Sequence, residues 1–244
     1  LAPSAAVFLL CWLIKYNEPE GNYGGVTDDH LFYVVRGWQL LFGEFPTLDF
    51  VDHGAPLTFY LSGAARWLIG SGLWGEILLT SVALALGVAI TSRLAAQASG
   101  STLLGVGVAL FQIMLGLRLY NYPKFLVYAV AIQALWAFAD RPGWGTRLWL
   151  SVITAVGFLL RHDHGAYIAV GLITLLVLHD SLSWRERVRH ATVYAAVVLG
   201  LLAPYFLFLQ LNGGLVRHFV TAAAWTARER GRSSWDWPWF SIQD

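Results

Sequence analysis

Apolar residues run along this chain in blocks. Blocks at 5-14, 77-92, 102-117, 125-139, 148-160, 165-178 and 191-211 are each closed by charged or turn-forming residues. Segments of this kind predict helices that satisfy their own backbone hydrogen bonds inside lipid. Helices at 2-15, 73-93, 101-117, 122-139, 146-160, 164-180 and 190-211 give about seven crossings, an all-α polytopic transmembrane bundle. Several blocks are shorter than the roughly 20 residues that cross about 30 Å of hydrocarbon, a length that the core helices of a soluble bundle also have.

Between the first two blocks lies a long loop, 17-72, with a different pattern. Leu31, Val34, Val35, Trp38 and Leu41 share one helical face, with Arg36 and Gln39 off it. At 57-69, Thr58, Ser62 and Arg66 recur at four-residue spacing among apolar residues. Both segments predict amphipathic helices lying along the membrane surface. Pro46 and Pro56 break the connection between them. The remainder divides into one membrane-embedded domain over 1-244, ending in a polar tail at 212-244.

Composition favours lipid over water. Of 244 residues, 57% are hydrophobic and 13% charged, against roughly a quarter charged in soluble domains. The 12 Trp and 10 Tyr gather near block ends, as at Trp12, Tyr16, Trp74, Tyr120, Tyr122, Trp144 and Trp149, where aromatic belts form. Net charge is +1 without a basic tract, so no nucleic-acid partner is expected. The lone Cys11 forms no intrachain disulfide.

Charge also orients the bundle. Arg93, Arg141, Arg147, Arg185, Arg187 and Arg189 fall on one side, the cytoplasmic one by the positive-inside rule. The acidic first loop, the turn 118-124, the turn 161-164 and the tail fall on the other. The expected location is therefore the cell (inner) membrane, with the chemistry on the extracytoplasmic face. Arg217, Arg228, Arg230 and Arg232 in the tail run against this sorting.

Candidate chemistry collects on that outer side. Asp28 and Asp29 open the first amphipathic helix, either as cap and first-turn acid or as a general base toward an acceptor. Asp52 and His53 precede the helix-starting Pro56. Arg118 and Lys124 flank a turn containing Tyr122, where cations bind a lipid phosphate or snorkel to headgroups. Arg161 and Asp163 sit between two short apolar blocks, as a functional pair or as a turn-stabilising one. His162 and His164 raise a divalent metal as a cofactor, but no third ligand is evident and no metal residues are assigned.

The order Thr27-Asp28-Asp29-His30-Leu31-Phe32-Tyr33, then Gly43-Glu44-Phe45-Pro46, then Asp49-Phe50-Val51-Asp52-His53-Gly54-Ala55-Pro56-Leu57 resembles the N-terminal half of GT-C-type membrane glycosyltransferases. These include protein O-mannosyltransferases and aminoarabinose transferases of lipid A. The turn Arg161-His162-Asp163-His164-Gly165 is similar to one in some relatives. The resemblance implies a polyprenyl-phosphate-linked sugar donor, a glycan, lipid or protein acceptor, inversion at the anomeric carbon, and Asp28 or Asp29 as base. It also implies that the chain is the N-terminal part of a longer enzyme. Aminoarabinose-type members carry a phosphate-binding Lys where this chain has Gly54-Ala55-Pro56-Leu57, so that role passes to Lys124, Arg118, Arg161 or His53. Asp52, Tyr122 and Asp163, in the same outer clusters, complete the candidate substrate-binding residues.

Two other classes compete. A transporter or flippase would spread polar groups through the helices at mid-depth, whereas the blocks 77-92, 102-117 and 191-211 hold few beyond Ser, Thr, Tyr194, Tyr205, Gln112 and Gln210. A non-catalytic membrane subunit would leave the outer clusters without a chemical role.

Overall fold

A computed structural model of the chain describes residues 2–17, 28–52, 54–70, 73–116 and 118–232, without the side chains at 28, 29, 225, 226 and 228–232. The described residues form α1 (Ala2–Asn17), α2 (Asp28–Leu41), α3 (Pro56–Ile69), α4 (Trp74–Ser99), α5 (Thr102–Met114), α6 (Tyr122–Asp140), α7 (Trp144–Leu160), α8 (His162–Leu178), α9 (Trp184–Leu211) and α10 (Leu215–Arg232). A short 3-10 turn, Leu119–Asn121, leads into α6. The fold is all-helical among these residues, with only an isolated bridge between Pro46 and Phe50.

Three helical segments are long and apolar enough to cross a bilayer: Trp74–Ser99, Leu119–Asp140 and Trp184–Leu211. The helices α1, α5, α7 and α8, with 16, 13, 17 and 17 residues, fall below the roughly 20 that the hydrocarbon thickness asks for. Large apolar side chains nevertheless stay uncovered around the bundle, among them Leu103, Phe111, Met114, Val170, Ile173, Leu199 and Leu207. Such faces are consistent with solvation by lipid.

Helix ends differ from the apolar blocks where polar residues make good helix. The fourth helix runs past Arg93 to Gly100, whose φ of 68° ends it. Ser101 then caps α5 by accepting from the Leu104 N–H at 3.3 Å. The ninth begins at Trp184 because Ser183 and Glu186 form a capping box, so the arginines expected in a loop lie in its first turns. Part of the expected tail is α10, which presents Phe219 to the rings of Phe158, His162 and Phe206. Its arginines interrupt the apolar pattern, so hydropathy alone misses an amphipathic helix there.

Packing is organised around α4, which touches α1, α3, α5 and α6. A second core joins α6 to α9 through Ala131, Ala134, Phe138, Leu150, Ile153, Leu172 and Tyr194. The amphipathic pair α2 and α3 meets at two glycines: a Cβ on Gly37 would lie 2.6 Å from the Gly63 nitrogen. Only hydrogen side chains allow that approach.

The connections sort to two ends. At one end, Tyr16 meets Trp74, Thr58 bonds the Leu160 carbonyl, and the His162 N–H bonds the Gly54 carbonyl. At the other, His179 Nε2 bonds the Ala139 carbonyl, Arg147 meets His190, and Arg187 donates to the carbonyls of Val177, His179 and Leu182.

Candidate functional site

The densest polar network lies at the first of these ends and is built on Asp52. This side chain is buried, and its Oδ1 accepts from the Gly54 and Ala55 N–H groups at 2.8 and 3.0 Å. Those donors are free because the chain is turning into α3, whose Pro56 needs none. The second oxygen, Oδ2, accepts from the Tyr205 hydroxyl at 3.2 Å, across 153 positions of sequence. With its proton given to Asp52, that hydroxyl accepts from His162 Nε2 at 3.1 Å and lies 3.5 Å from His218 Nε2.

Gly54 makes the network possible. Its φ is +90°, a left-handed conformation, and a Cβ there would stand 2.7 Å from His162 Nδ1. Its carbonyl also holds the His162 N–H at 3.0 Å. His162 stacks on Phe158 with ring centroids 4.4 Å apart. Burial lowers the His218 imidazole below its ordinary value, against the opposing pull of Asp52.

Beside this network opens a cavity of about 420 Å³, lined by Thr47, Leu48, Val51, Asp52, Asn212, Gly213, Gly214, Arg217, His218 and Thr221. Thr47 sits at φ 73°, a strained conformation for a β-branched residue, and its hydroxyl is buried without a hydrogen-bond partner among the described residues. Arg217 is exposed, and no ion pair involves it among the described residues.

A second opening, a groove of about 450 Å³ along α4, α5 and α6, is lined by Thr91, Gln112, Asn121, Lys124, Phe125, Tyr128, Ala129 and Ile132. Lys124 is half-buried there. Gln112 Oε1 and Asn121 Oδ1 are buried acceptors with no hydrogen-bond partner among the described residues. The Tyr128 hydroxyl reaches His164 Nδ1 at 2.8 Å. The first turn of α8 therefore joins the two openings, with His162 toward the Asp52 network and His164 toward the groove.

The sequence-derived candidates divide accordingly. Asp52 belongs to the first cavity and Lys124 to the groove. Arg161 and Asp163 are bound to each other by two hydrogen bonds of 2.9 and 2.6 Å, the turn-stabilising arrangement. Arg118 is exposed. Tyr122 is buried, its hydroxyl without a hydrogen-bond partner among the described residues, so it does not open to either cavity. The first turn of α2 carries Asp28 and Asp29, but their side chains lie outside the described residues, as does His53. Next to them His30 is fully buried and meets Glu76 Oε1 at 3.1 Å, where Ser62 also donates at 3.0 Å. Among the described residues no three His, Cys, Asp or Glu side chains group as a metal site.

Sequence reasoning passed over Tyr205, His218, Arg217, Thr47 and Glu76 as site residues. One signal was present for Tyr205, a hydroxyl inside an apolar block, which must find a partner when buried. His218 carried none, because only the turn at 212–214 folds it back onto Tyr205. The chain matches no protein-family model, no curated protein and no solved structure, so its function is argued from its own residues.

Proposed function

We propose that this protein is a multi-pass membrane glycosyltransferase that moves a sugar from a polyprenyl-phosphate donor to an acceptor on the extracytoplasmic face. One observation carries this reading: a groove with apolar walls and a cationic Lys124 lies at the same end of the bundle as a polar cavity, and the first turn of α8 joins them. A lipid-linked donor needs the first kind of opening and a water-borne acceptor the second.

In this reading α1, α5, α7 and α8 cross with the three longer segments, about seven crossings in all, locally thinning the bilayer where they are short. The helices α2 and α3 lie at the interface. The isoprenoid chain runs along Phe125, Ala129 and Ile132, and Lys124 holds the phosphate, with Arg118 nearby in sequence. The acceptor hydroxyl attacks the anomeric carbon from the face opposite the phosphate. As the new C–O bond forms, the bond to phosphate breaks and its electrons stay on the phosphate oxygen, where Lys124 offsets the charge. The hydroxyl proton passes to Asp28 or Asp29. The Asp52 network holds the first loop against α8 and α9, which keeps the two openings in register.

The test is turnover of a polyprenyl-phosphate sugar by the chain, or the longer protein containing it, reconstituted in liposomes. Asp28→Asn together with Asp29→Asn should lower turnover about 10²- to 10⁴-fold, the usual contribution of a general base. Lys124→Ala should lower it about 10²-fold or more through the phosphate. Full turnover in the double Asp variant would end the general-base assignment. Absence of donor turnover by the unaltered protein would end the transferase reading.

A further inference from the structure

We infer that the cavity between the 47–52 connection and the α9–α10 turn is a carbohydrate site, and that the acceptor in the proposed reaction is a glycan hydroxyl. The inference rests on the transferase reading for the word acceptor, but not for the binding itself.

The lining chooses the ligand class. Asp52 presents a carboxylate, Arg217 a guanidinium, and Thr221 and Asn212 groups that both donate and accept. An inorganic anion suits Arg217 but would face the Asp52 carboxylate. A lipid tail needs continuous apolar walls, and only Leu48 and Val51 supply them here. A sugar uses every part: its hydroxyls donate to Asp52 and accept from Arg217, and its C–H face rests on Leu48 and Val51.

Three further features fit a polyol. Asp52 already accepts three hydrogen bonds, which leaves one of a carboxylate's roughly four acceptor positions for a ligand hydroxyl. The Thr47 backbone, on the cavity wall, is held at a strained φ of 73°, a distortion of the kind that clusters at ligand-binding sites. The volume of about 420 Å³ falls within the roughly 300–1,000 Å³ typical of small-molecule sites.

The experiment is titration of the detergent-solubilised chain with a panel of neutral di- and trisaccharides, with inorganic phosphate and with polyprenyl phosphate, followed by calorimetry and ligand-observed NMR. Saturable binding of at least one oligosaccharide, in the millimolar range, is expected. Arg217→Ala and Thr221→Val should each weaken it about tenfold, and Thr221→Trp, which fills the cavity, should abolish it. Both positions lie on the exposed side of α10, and helical circular dichroism checks that each variant is folded. No binding across the panel overturns the inference, as does oligosaccharide binding unchanged in all three variants. Phosphate or polyprenyl phosphate binding that Arg217→Ala alone removes, without oligosaccharide binding, overturns it in favour of an anion site. Donor turnover is assayed in parallel: turnover without oligosaccharide binding sinks this inference alone, and binding without turnover sinks the transferase reading and the acceptor role with it, leaving the carbohydrate site.

Discussion

At the residue scale, the site depends on one glycine more than on any charged group. Gly54 supplies the left-handed turn that lets its own N–H and that of Ala55 converge on Asp52, and it leaves room for the His162 ring. Gly54→Ala meets both a φ of +90° and a contact of 2.7 Å to His162 Nδ1. A left-handed alanine costs about 1–2 kcal/mol and forced overpacking about 1–3 kcal/mol. Thermal unfolding in detergent should therefore show a loss of about 2–5 kcal/mol. A neutral Gly54→Ala would mean that the turn and the imidazole do not meet as described. The residue identity was plain in the sequence, but its reason was not, since a Gly two residues ahead of a Pro suits any helix start.

At the scale of elements, α2 and α3 are attached to the bundle by a buried polar contact in addition to apolar packing. His30, Ser62 and Glu76 come from three helices and meet where their side chains have almost no access to solvent. Removing one member strands the others, and a stranded buried polar group costs about 1–3 kcal/mol, more if charged. Glu76→Leu should destabilise the chain by about that amount and make the first loop more susceptible to limited proteolysis. Adding His30→Leu should recover part of the loss, because both polar groups are then gone. A double variant no better than the single one would show that shape, and not hydrogen bonding, governs this junction. That the loop forms helices at α2 and α3 was legible from residue spacing, but Thr58 and Ser62 of the expected polar stripe turn inward while Leu68 and Ile69 are exposed. The attachment of the two helices to Glu76 was not legible, because an acid in the first turn of an apolar helix has an ordinary local explanation.

At the scale of the whole molecule, the separation of two ends has a consequence for topology. If the bundle spans the membrane, residue 48 beside the polar cavity and residue 185 in the first turn of α9 face opposite sides. Both positions are exposed, and the native Cys11 is buried, so it gives little background. Cysteines placed at 48 and 185 should label from opposite sides of sealed vesicles with a membrane-impermeant maleimide. Labelling of both from one side would refute the proposed arrangement.

Block hydropathy by itself determined that the chain is helical and apolar, and roughly where most helices run. These properties follow from local composition, since backbone hydrogen bonds in a helix close within a few residues. Caps and turn glycines moved the boundaries, and α10 stayed hidden because its charges break the apolar run. Only the tertiary structure decided which polar groups meet. Asp52, His162, Tyr205 and His218 lie on four segments, and the contact between Asp52 and Tyr205 spans 153 positions. No local pattern encodes such a meeting. It results from the packing of α3, α8, α9 and α10 at one end of the bundle, where polar atoms withdrawn from solvent find one another.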